Sequence, residues 1–169
     1  MSHLTIVFIL VLTVSIIITI LVIMRNNQLK ARKNSIFSFF KNAGIVHDLS
    51  FTGQEVLPDK VLGLDGPKRK LLITEQRAEE YNTRVIDLRE IAACTVKKVY
   101  GAINSQEYKR NKPEEFLKSI SLEFEFTTGG APMAVHFYRN TINSIYEIPE
   151  LEGRAKNWAK MLSNLTVPS

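Results

Sequence analysis

The chain carries three hydrophobic patterns in turn. Residues 4–24 are apolar without interruption, residues from about 52 to 138 alternate with a period near two, and residues 149–165 repeat at intervals of three and four. Each pattern predicts a different element, because side chains recur on one face every 2.0 residues in a strand and every 3.6 in a helix.

Leu4 to Met24 holds sixteen Leu, Ile, Val or Phe residues; three Thr, one Ser and the closing Met complete the 21, and none is charged. A helix of that length covers about 31 Å, close to the ~30 Å hydrocarbon core of a bilayer. The β-branched residues, among them Ile16-Ile17-Ile18, would favour a strand in water, but a lone strand cannot satisfy its backbone groups in lipid. The sequence therefore predicts one transmembrane helix over residues 1–24. A cleaved signal peptide fits less well: Met1-Ser2-His3 carries no Lys or Arg, and no small-residue cleavage site precedes Arg25.

Residues 25–52 follow as a basic and aromatic connector. Arg25, Lys30, Arg32 and Lys33 precede Ile36-Phe37-Ser38-Phe39-Phe40-Lys41, and Leu29, Ile36, Phe37 and Phe40 would share a helical face. Either this face lies at a membrane surface with its cations among anionic headgroups, or it packs on its own domain; the membrane-facing reading is preferred.

The third region, residues 53–169, reads as one domain. Val61, Leu62 and Leu64 lead through Asp65-Gly66 to Lys70–Thr74, a hairpin signal. Arg84–Leu88 predicts a short strand and Ala92–Tyr100 a longer one. Between Lys118 and Tyr138, Ile120, Leu122, Phe124 and Phe126 alternate with polar residues, and so do Met133, Val135 and Phe137. A two-residue Gly129-Gly130 turn would set 126 opposite 133, 124 opposite 135 and 122 opposite 137, with Glu123 facing His136. Pro149, Glu150 and Glu152 suit the start of a final helix, whose stripe is Leu151, Ala155, Trp158, Leu162 and Leu165. The stripe needs a sheet to bury it. The expected architecture is a transmembrane helix plus a mainly-β α+β domain of six to seven antiparallel strands closed by a C-terminal amphipathic helix.

Charge adds an orientation. The net charge is +5, and the same number of cations, Arg25, Lys30, Arg32, Lys33 and Lys41, lies between the apolar run and the first acid, Asp48. The remainder is balanced, so no basic domain face points to nucleic acid. Cations after the span and none before it predict a cytoplasmic C-terminal domain with the N-terminus outside. The single Cys94 allows no intramolecular disulfide, and Asn164-Leu165-Thr166, a glycosylation acceptor by pattern, would be accidental there.

Three segments carry a resemblance: Val61-Leu62-Gly63-Leu64-Asp65-Gly66 with Lys68-Arg69-Lys70-Leu71-Leu72, Val85–Ile91, and Glu150-Leu151-Glu152 through Trp158. Their order resembles the pleckstrin-homology-like superfold, including its GRAM and bacterial PH-like branches, over roughly residues 55–165. With the anchor, the chain resembles inner-membrane proteins of Bacteroidota bacteria that have no assigned activity. The resemblance implies a partly open PH-like barrel. It also implies that Lys68, Arg69 and Lys70, at the tip of the first hairpin, contact anionic lipid headgroups or a partner; the position of Arg25, Lys30, Arg32 and Lys33 beside the apolar run adds them to that candidate surface.

No motif points to catalysis, metal or a cofactor. His3, His47 and His136 are scattered, Cys94 lacks an activating neighbour, and no phosphate-binding glycine loop or nucleophile elbow occurs. Glu79-Glu80 and Glu114-Glu115 fall in expected loops, and Gly101–Leu117 reads as a long connection between half-sheets. The expectation is a membrane-tethered, non-enzymatic interaction or scaffold module on the cytoplasmic face, with the bilayer and an unidentified protein as partners. Anionic-lipid sensing is the alternative, and a small enzyme without a motif the third reading.

Overall fold

A computed structural model of the chain describes the backbone of residues 3–77, 80–101 and 113–166, and their side chains except those of 3–7, 9 and 25–33. Helix α1 runs unbroken from His3 to Val46, through the expected boundary at residue 24. Leu10 to Met24 is exposed on every side, and Thr13 and Thr19 return their hydroxyls to Leu10 and Ser15 carbonyls, at 2.9 and 2.8 Å.

The expected single-pass span is corrected here: among the described residues no helix is long and apolar enough to cross a membrane. The unbroken part of α1 with described side chains, residues 10–24, covers only about 22 Å against a core of ~30 Å. Residues 4–7 and 9 of the expected span lie outside the described side chains. The membrane and single-pass expectations built on that span are withdrawn with it.

The end of α1 is set by local backbone chemistry. Asp48 takes a left-handed conformation, φ 51°. Its N–H reaches the Ile45 carbonyl at 3.0 Å, and the Leu49 N–H reaches that of Gly44 at 2.8 Å. These are the two bonds of a Schellman termination, and Asp is among the few non-glycine residues that tolerate its left-handed position.

Strands β1 (Gly53–Val56), β2 (Lys60–Asp65), β3 (Lys70–Arg77) and β4 (Glu80–Asp87) form an antiparallel meander; β5 (Ile91–Tyr100), β6 (Leu117–Phe126) and β7 (Met133–Arg139) form a second. The expected partly open barrel is thus corrected to two separate sheets, of four and three strands. A 3-10 turn at Leu88–Glu90, capped by the Asp87 carboxylate on the Arg89 N–H at 3.0 Å, swings the chain out of the first sheet, and β5 then pairs with β6.

The hairpin β6–β7 forms, but two residues out of the expected register. Phe124 faces Met133 and Leu122 faces Val135, while Glu123 meets Ala134 and His136 meets Ser121. Up to the irregularity between Ile120 and Ser121, beyond which the offset is one, a slip of two preserves the inward faces, so alternation alone cannot distinguish the registers. The connection is 127–132 instead of two glycines, with Gly129 and Gly130 at φ 74° and 122°, and it includes Pro132, which has no N–H to give a ladder.

Helix α2 (Ile148–Ser163) buries Ile148, Leu151, Ala155, Trp158 and Leu162 in the core shared by both sheets. Burial of each large member stabilises by about 1.5–3 kcal/mol. The opposite face of the first sheet, carrying Val61 and Leu72, is covered by Ile36 and Phe40 of α1. The phenylalanine-rich connector therefore packs on its own domain, against the preferred membrane-facing reading. Gly63 is what admits it: a Cβ there would lie 2.6 Å from the Phe51 ring and closer still to that of Phe40.

Candidate functional site

The β2–β3 turn carries the expected basic triplet. Asp65, almost wholly buried, accepts the N–H groups of Ser50 at 2.8 Å and Lys68 at 3.0 Å. These two bonds hold its carboxyl below the usual range, outweighing the opposing effect of burial. The Lys68 ammonium turns back to Asp48, 2.7 Å from its Oδ2 and in contact with its carbonyl, tying the turn to the end of α1. Arg69 is exposed with φ 52°, and Lys70 faces Asp87 across the ladder. The triplet thus divides: one cation fastens the helix and two remain at the surface. Arg25, Lys30, Arg32 and Lys33 lie outside the described side chains, and Lys41 rests 4.8 Å above the Phe37 ring.

A second polar cluster, which no motif marks, sits at the open end between the sheets. Lys60 is 2% exposed, and its ammonium lies 2.9 Å from Glu75 Oε1 and 3.3 Å from Asp59 Oδ2. Arg139 of β7 reaches Asp59, and Arg77 Nε lies 3.0 Å from Glu75 Oε2. The row Arg139, Asp59, Lys60, Glu75, Arg77 alternates in sign and joins both sheets. Burial opposes ionisation of Glu75, but Lys60 and Arg77 prevail and lower its pKa. Beside the row lies a cleft of about 70 Å³, lined by Ile73, Asn82 and Arg84 of the first sheet and by Met133 and Val135 of β7.

His136 lies within the field of this cluster. Burial first, then Lys60 and Arg139, push its pKa down against the opposing pull of Glu75 and Asp59. Its Nδ1 is buried and has no hydrogen-bond partner among the described residues. Cys94 is buried too, and desolvation raises its thiol to about 12, so the thiolate needed for nucleophilic attack is not formed at neutral pH.

Helix α2 is fastened at the far edge. Trp158 Nε1 donates to Glu55 Oε2 at 3.0 Å, and Arg154 binds the other oxygen of Glu55 and the Val56 carbonyl. Next to α2, a capping box of Ser144 and Glu147 fixes a 3-10 turn that presents Tyr146, 90% exposed, beside exposed Ile142 and Ile145. Much of the long connection singled out in the sequence, residues 102–112, lies outside the described residues.

Sequence reasoning located the basic tip but missed the inter-sheet cluster. Its members come from β2, the turn before it, β3, β4 and β7, and only pairing of distant strands brings them together. The one local hint is that β3 continues its alternation past Ile73 into Glu75 and Arg77, polar residues on an inward face.

Comparison with protein-family models, with characterised proteins and with solved structures finds no match.

Proposed function

We propose that this chain is a non-enzymatic interaction module: a two-sheet domain clamped to a long helix whose apolar length is the surface offered to a protein partner. One observation carries the reading. Residues 10–24 of α1 are exposed all round, although twelve of the fifteen are Leu, Ile, Val or Met. An element apolar on every face is stable only when covered on every face. The domain is built to hold this helix in a fixed direction, through Ile36 and Phe40 on the sheet and Lys68 on Asp48. Tyr146 with Ile142 and Ile145 offers a second, aromatic contact of the type enriched at interfaces. The order of elements, a four-strand meander, a three-strand meander and a closing helix, supports the resemblance to pleckstrin-homology-like domains, many of which serve as scaffolds.

The test is native sedimentation of the full chain from cells, beside a variant with Leu12→Glu, Ile16→Glu and Ile20→Glu. Wild type is expected in a complex well above its own 19.2 kDa, and the variant as a folded monomer. Wild type sedimenting alone, or recovered only with lipid vesicles and no second protein, overturns the reading.

A further inference from the structure

We propose that the cleft between the sheets binds a small organic carboxylate, its head held by Arg84 and Arg77 and its short alkyl tail against Ile73, Met133 and Val135. This goes beyond the interaction reading and does not rest on it.

Charges at the cleft are unequally paired. Three cations, Lys60, Arg77 and Arg84, line the cleft against one carboxylate, Glu75, while Asp59 and Arg139 pair with each other next to it. Lys60 is shared by both acids and Arg139 is satisfied by Asp59. Arg77 uses its Nε on Glu75, and its terminal nitrogens have no partner among the described residues. Arg84 directs Nη1 at the Met133 sulfur, 3.2 Å away, and has no carboxylate partner among the described residues. A thioether is a weak acceptor, and a guanidinium facing one is poorly satisfied.

Register places these groups on one face. Arg84 is opposite Ile73 and Asn82 opposite Glu75, with Arg77 one step further along β3. The two guanidiniums therefore flank the Asn82 amide, and all three offer N–H donors. Glu80, opposite Arg77 in the register, is exposed, and Glu75 is already neutralised by two cations. The surplus is positive.

The ligand class follows from the shape of the donors and of the wall. A guanidinium fork matches the two oxygens of a carboxylate in one plane. Met133 and Val135 of β7, with Ile73 beside Arg84, give the cleft an apolar part, which suits a few methylenes and gives nothing to the outer oxygens of a phosphate. The volume, about 70 Å³, limits the occupant to a short acid.

The experiment is a titration of the full chain with butyrate, followed by the ¹⁵N-resolved Nε–Hε signals of its arginine side chains. Saturable shifts at Arg84 and Arg77 are expected, with a Kd of about a millimolar, and acetate should bind about tenfold more weakly for want of the tail. Butanol, which lacks the head, should give none. Arg84→Gln should lose about tenfold in affinity, Arg84→Lys less, and Arg69→Gln nothing. Arg84 is exposed, so these variants keep the fold, as an unchanged amide spectrum will show. The proposal falls if butyrate fails to saturate, if Arg84→Gln binds as wild type, or if inorganic phosphate binds as well as butyrate.

Discussion

The Phe40 ring of α1 stacks on that of Phe51, centroids 4.6 Å apart and planes inclined by 25°, directly above Gly63. The pair joins the long helix, the segment after it and the middle of the first sheet in one apolar contact.

Gly63→Ala tests this contact. The added methyl has no space between the two rings, and overpacking of this kind typically costs about 1–3 kcal/mol. Urea denaturation should show a loss in that range with an unchanged slope. Gly153→Ala is the comparison: nothing lies within 4 Å of its Cβ position, and a mid-helix alanine should stabilise α2 by about 0.5–1 kcal/mol.

Asp65 predicts an acid-sensitive clamp. Its folded pKa lies below the ordinary 3.8 because the Ser50 and Lys68 amides favour the carboxylate. A depressed pKa means the unfolded chain takes up the proton first as pH falls. The contribution is therefore complete at neutral pH and is lost as pH drops through 3.8 and below. Asp65→Asn should lower stability at pH 7 and flatten its fall in acid, measured by thermal melts across that window.

His136 titrates in the same sense from a different cause. Burial and nearby cations hold its pKa below 6.5, so the fold favours neutral imidazole. Stability should fall as pH is lowered through 6.5, since the unfolded chain is protonated there and the folded one is not. In His136→Gln the slope in that interval should shrink, as read by denaturation midpoints at successive pH values.

Glu55 is the shared acceptor of Trp158 and Arg154. Glu55→Ala leaves a buried indole N–H without its acceptor and should cost about 1.5–3 kcal/mol. Trp158 is the only tryptophan, so intrinsic fluorescence reports both the loosening of α2 and the lowered midpoint. An unchanged midpoint would mean that the apolar stripe alone fixes the helix.

Most strands and the closing helix were legible because their signals are local, but β1 was not expected and β4 begins at Glu80, which reads as a loop residue. Alternation at 118–126 and 133–137 gave β6 and β7, the 61–64 and 70–74 segments gave β2 and β3, and the stripe from Leu151 to Leu162 gave α2. The extent of α1 was not legible. Its termination at Val46 depends on Asp48 entering the left-handed region, where Lys68 of a turn twenty residues later meets it.

What the amino-acid order determined by itself is which residues share a face, since that needs only the repeat of each element. Which faces meet was decided by tertiary structure. The β6–β7 slip of two residues preserves the pattern and so leaves no trace in it. The docking of Phe40 over Gly63 replaced the membrane-facing reading because the same apolar face suits either surface. The inter-sheet cleft needs side chains from four strands, set side by side only after each has found its neighbour; charges that look solvated along the chain become a cluster when long-range pairing removes the water between them.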